Sequence, residues 1–138
     1  MEEAKYFIDI RHSIVVQRFR GSISKEMLLS LLSKLYQDKA YLQTTKILTD
    51  FRHIKVSFHD EEVSEIAKFI QDNSKNDNRI LNAIIADEPM VTAFSMIYQV
   101  LMFDMPNYQC SVFSTEEKAA EFLYLTHKDI ENYLNEIK

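Results

Sequence analysis

The side chains best placed for chemistry are four acids at the ends of apolar runs, Asp50, Asp60, Asp87 and Glu88. Open α/β sheets bind ligands at their strand ends, and carboxylates there suit Mg²⁺ or phosphoryl chemistry. A receiver-type pocket also needs paired acids after its first strand and a lysine after its last. This chain has Arg11-His12 and Ser114-Thr115 in those places. The four acids are therefore read as helix caps and loop residues, which the helix dipole favours. His53 and His59 flank a loop with Asp50 and Asp60 close by, a set of two imidazoles and two carboxylates. Their spacing matches no rigid metal-ligand template, so surface histidines are expected, as they are for His12 and His127. Gly21 is the sole glycine, which leaves nothing to build a phosphate-cradling loop or a nucleophile elbow. Cys110 is the sole cysteine. It has no disulfide partner in the chain, and its apolar neighbours mark it as a packed thiol. The expectation is a protein with no catalytic residues, no cofactor and no metal.

These residues sit on a regular alternation of elements. Tyr6-Phe7-Ile8-Asp9-Ile10 and Ser13 to Phe19 are β-branched and aromatic, with a polar break at Arg11-His12, and read as paired strands. Gly21 marks a turn into a helix capped by Ser24, whose buried stripe is Leu28, Leu31, Leu32 and Leu35. Lys46 to Phe51 reads as a third strand. A loop from Arg52 to His59 then leads to the N-cap Asp60 and a helix carrying Val63, Ile66, Ala67 and Ile70. Ile80 to Ala86 is almost continuously apolar, as a strand covered on both faces would be. Pro89 opens a third helix, Gln109 to Phe113 is a fifth strand, and Ser114-Thr115-Glu116-Glu117 starts the last helical region. This order predicts an α/β fold: a single mixed, mostly parallel sheet of about five strands, with an N-terminal β-hairpin and four to five helices.

The order resembles the STAS fold, and within it the SpoIIAA-like branch of anti-sigma-factor antagonists. The likeness is carried by Arg18-Phe19-Arg20-Gly21, by Ile47-Leu48-Thr49-Asp50-Phe51-Arg52 and by Ile84-Ile85-Ala86-Asp87. It implies a STAS-like domain over residues 1–125 with a C-terminal helical extension over 126–138. It also implies partner recognition around the loop and start of the second helix, here Ser57, Phe58, His59 and Asp60. Phospho-regulated members carry a hydroxyl at that helix start, whereas this chain has Asp60-Glu61-Glu62. A phosphate would meet like charge there, so Ser57 is read as an ordinary loop residue.

Two further surfaces are candidates for contact. In the third helix Met90, Ala93, Phe94, Ile97, Val100 and Leu101 share a face expected to pack on the sheet. Met96, Tyr98, Met102 and Phe103 lie off that face, which predicts either a second buried contact or an exposed patch. Near the C-terminus Ile130, Tyr133, Leu134 and Ile137 continue an apolar stripe. They pack either on their own domain or on a second copy, and Thr126-His127-Lys128-Asp129 is able to cap a separate helix there.

The net charge of −5 comes with scattered rather than clustered Lys and Arg, so nucleic acid is not an expected partner. No apolar run is long enough for stable membrane insertion. The acidic start, Met1-Glu2-Glu3, has the features of neither a signal nor a transit peptide, and the expectation is a cytoplasmic protein. The resulting expectation is a non-enzymatic bacterial interaction or regulatory module that binds another protein or a second copy of itself. The alternative is a carrier or sensor of a small apolar or lipid-like ligand, by analogy with Sec14-like folds.

Overall fold

A computed structural model describes residues 2–137. Strands β1 (Glu3–Asp9) and β2 (Ile14–Ile23) form the opening hairpin around a 3₁₀ turn at Ile10–His12. There follow α1 (Lys25–Gln37), β3 (Lys46–Val56), α2 (Asp60–Asn73), β4 (Ile80–Ile85) and α3 (Pro89–Leu101). Strand β5 (Tyr108–Phe113) and helices α4 (Glu116–Phe122) and α5 (His127–Glu136) complete the chain. The five strands lie side by side in sequence order, β1 antiparallel to β2 and the others parallel.

Right-handed crossovers that always step to the next strand in the same direction place every crossover helix on one side of the sheet. Leu31 and Leu32 of α1, Ile66 and Ile70 of α2, and Val91 of α3 accordingly share one cluster with Phe19, Ile23 and Ile54. Helices α4 and α5 follow the last strand and cover the opposite side. There Ala119, Ala120, Leu123, Ile130, Tyr133, Leu134 and Ile137 pack on Ile14, Val16, Leu48, Ala83 and Ile85. Covering both faces is what makes β4 apolar at every position but Asn82.

Several local expectations are corrected. Gly21 lies inside β2 rather than in a turn, with φ 82° just after the register with β3 shifts between Arg18 and Arg20. A left-handed residue in a strand irregularity favours the absence of Cβ. Strand β3 does not end at Phe51, because the longer β2 pairs with it as far as Ile23 opposite Val56. The N-cap of α2 is His59, not Asp60, and its backbone N–H donates to the Glu62 carboxylate at 3.0 Å. Of the two readings open for the last helical region, the separate helix holds: it breaks at Tyr124, φ 58°, and restarts at Thr126. Thr126 Oγ1 accepts from the Asp129 N–H and the Asp129 carboxylate accepts from the Thr126 N–H, both at 3.1 Å.

Candidate functional site

The two faces of the sheet differ in kind. Between the sheet and α1–α3 lies a cavity of about 80 Å³. Leu28, Leu32 and Leu35 of α1, Val63, Ile66 and Ile70 of α2, and Ile47, Ile54 and Ile84 of the strands form its aliphatic wall. Phe58, just before α2, and Phe94 of α3 stand at its edge with ring centroids 5.3 Å apart.

A polar track crosses this apolar space. Thr49 of β3 donates to Asn82 Oδ1 of β4 at 3.0 Å, and Asn82 Nδ2 donates to the Tyr108 hydroxyl of β5 at 2.8 Å. The Tyr108 and Tyr98 hydroxyls are 2.7 Å apart, which carries the track onto α3. Gln17 stands opposite Thr49 in the β2–β3 register, and Ser95 lies one turn before Tyr98. Both line the cavity at only 5% and 4% exposure, and no described residue hydrogen-bonds either side chain. Buried polar groups ordinarily have partners. These two therefore turn their polar groups to the void. Burial raises the Tyr98 and Tyr108 hydroxyls above their ordinary range and pushes the Cys110 thiol, on the neighbouring strand position, up to about 12.

The polar track also explains how α3 is rotated. The helix turns Val91, Ser95 and Met102 inward with Tyr98, not the face through Met90, Ala93, Ile97 and Val100. A helix apolar on nearly every side has no strong preference from burial alone, and the Tyr98 hydroxyl needs the partner that Tyr108 supplies. The outer side is left apolar: Met90 is 57%, Met96 56%, Val100 74% and Phe103 84% exposed. Of the four off-face residues, Met102 is thus core, Tyr98 lines the cavity, and Met96 and Phe103 face solvent.

The opposite side of the sheet holds a line of charges that periodicity alone does not reveal. Asp50, 1% exposed, accepts from Arg52 Nε at 2.9 Å and Nη2 at 3.1 Å, with Arg18 Nε at 3.7 Å. Arg18 Nη1 also donates to the Leu134 carbonyl at 3.1 Å, tying β2 to α5. Arg52 Nη1 continues to Glu116 at 2.8 Å, and the other Glu116 oxygen lies 3.1 Å from His127 Nε2. The signal was the alternation Arg18, Asp50 and Arg52, which puts all three on one sheet face. Glu116, His127 and Glu131 are the only group among the described residues with metal-ligand proximity. The Arg52 guanidinium on Glu116 opposes a cation there.

The remaining candidates disperse. Ser57 donates through Oγ to the Ile23 carbonyl at 3.3 Å, while His59 and Asp60 are exposed at the start of α2. Asp50 is turned away from His53 and His59 by its two arginines, and Glu88 caps α3 by accepting from the Val91 N–H at 3.0 Å. Ile130, Tyr133, Leu134 and Ile137 are buried against the sheet, so a second copy has no access to them in this structure. Tyr133 donates to Asp9 at 2.9 Å, which fastens α5 to the hairpin.

A single five-stranded mixed α/β sheet with helices on both faces is the class that this geometry defines, and its fold is SpoIIAA-like. The chain is similar to a crystal structure of an uncharacterised protein of the DUF3478 family, described as having a SpoIIAA-like fold, from Shewanella loihica PV-4. The two superpose with a TM-score of 0.57 at 15% identity, over 89% of this chain and 95% of the other. No protein-family model and no curated protein matches the sequence. Among the described residues no helix is long and apolar enough to cross a membrane.

Proposed function

We propose that the protein is a non-enzymatic STAS-like module that binds a small apolar molecule between its sheet and α1–α3. The supporting observation is the 80 Å³ void in an otherwise packed layer. Protein interiors are close-packed, so an apolar space of this size beneath three helices is available to a guest. An apolar cavity of about 150 Å³ takes benzene. The space as it stands has room for a few heavy atoms, and a longer chain requires α3 to give way. Native mass spectrometry of gently purified protein should show an adduct that solvent extraction removes. A bare apo mass, together with no thermal shift from cyclohexane or 1-hexanol, defeats the reading.

A second reading, protein contact through α3, is favoured by the exposed apolar side of that helix. Exposed Asp87 and Glu88 flank one end and Asp104 the other. These acids repel an anionic bilayer and would oppose one another in an antiparallel self-pair. They suit a partner whose apolar face is rimmed by Lys and Arg. A basic amphipathic peptide should bind in a salt-sensitive way that Val100→Glu abolishes. Salt-independent binding, or a wild-type dimer by light scattering, rules this partner out.

A further inference from the structure

The cavity's chemistry narrows what it holds. Every residue lining it is uncharged, because Arg18, Asp50, Arg52 and Glu116 all belong to the opposite face. The N-termini of α3 and α2 already carry their own carboxylates, Glu88 accepting from the Val91 N–H and Glu62 from the His59 N–H. A carboxylate, phosphate or ammonium placed here would be buried with no counter-charge, at a cost far above that of a neutral polar group. A pure hydrocarbon fits no better, since it would leave Gln17 and Ser95 unpaired among apolar walls.

Thr49, Asn82, Tyr108 and Tyr98 are linked along their track, which leaves one tyrosine hydroxyl proton over at its end. Gln17 brings two N–H donors and a carbonyl acceptor, and Ser95 one hydroxyl able to do either. We infer that the ligand is a neutral amphiphile, an apolar body bearing one uncharged hydroxyl or amide group that hydrogen-bonds Gln17 and Ser95. This rests on the cavity being the binding site, and it excludes free fatty acids, amines and phospho-compounds as occupants.

The test compares four probes on the full chain at neutral pH: 1-hexanol, hexanoate, hexylammonium and cyclohexane. Side-chain amide resonances of Gln17 and Asn82 report binding by NMR titration. Saturable shifts with 1-hexanol, and binding about tenfold or more weaker for the two ions, are the expected result. Gln17→Met keeps the side-chain shape without the amide. It should weaken 1-hexanol by about five- to tenfold and leave cyclohexane unchanged, with a backbone amide spectrum that shows the native fold. Hexanoate or hexylammonium binding as tightly as the alcohol overturns the inference while the cavity remains the site. So does a Gln17→Met variant that binds 1-hexanol as the wild type does. If no probe moves either resonance, both the inference and the site fall.

Discussion

At the scale of single residues, Asp50 shows how position overrides type. It is an acid at an apparent strand end, yet β3 runs on to Val56 and places it mid-strand between Arg18 and Arg52. The sequence pattern ended the strand one residue later than Asp50 because Arg52 and His53 look like loop residues, so a buried ion pair was read as a solvated cap. Removing the carboxylate leaves Arg18 buried with no balancing charge. Asp50→Asn should therefore lose about 3–5 kcal/mol in urea unfolding, and Asp50→Asn with Arg18→Met should recover much of it. A loss under about 1 kcal/mol would mean the pair is solvated. Cys110 gives a second check. Its thiol is pushed up to about 12 by burial, against about 8.5 in an unfolded chain. The unfolded state then gives up this proton first, so stability falls as pH rises between those values, and the raised tyrosines Tyr98 and Tyr108 add to the fall above about 10. Urea midpoints should drop from neutral pH into that alkaline window, less steeply for Cys110→Ala, and the native thiol should resist a disulfide reagent until the protein unfolds.

Helices α3 and α5 differ in how far their stripes reveal the buried side. The α5 stripe of Ile130, Tyr133, Leu134 and Ile137 was legible, and the cap at Thr126 with it, because a polar helix face leaves no doubt about the buried one. What no periodicity shows is which surface a stripe meets, and here it is the sheet face over Ile14, Val16 and Leu48. Ile130→Ala should cost about 2–5 kcal/mol, and a chain ending at Leu125 should aggregate as that face is bared, instead of remaining a soluble monomer. In α3 nearly every position is apolar, so the pattern could not choose a side. The choice fell to Ser95 and Tyr98, the two residues that look misplaced on an apolar face, because their partners lie on the sheet. Val100→Glu and Met96→Glu should accordingly stay within about 0.5 kcal/mol of wild type while lowering the binding of a hydrophobic dye. A large loss of stability in either would show that α3 is turned the other way.

For the whole molecule, alternating strands and helices made the α/β class legible, since each β-α-β unit is local in sequence. The sequential strand order was not, because nothing in a single strand names its neighbours; it follows only when crossover handedness is joined to the choice of helix face. That order divides the protein into unlike halves. The α4/α5 side is packed and tied across by Arg18 to Leu134 and Tyr133 to Asp9. The α1–α3 side holds the void, and α3 is its least anchored member, with Val91 and Ser95 its only fully buried positions. Local opening costs least where few apolar contacts must be broken. Backbone amides of α3 should therefore exchange with solvent well before those of α5 or β4, at a rate independent of global unfolding. A neutral ligand that bridges Gln17 and Ser95 must slow that exchange by its own occupancy, about 2.7 kcal/mol of protection at a hundredfold excess over Kd. Exchange from α3 that keeps pace with β4, with and without 1-hexanol, would mean that the helix opens only when everything does and that the cavity has no route for its guest.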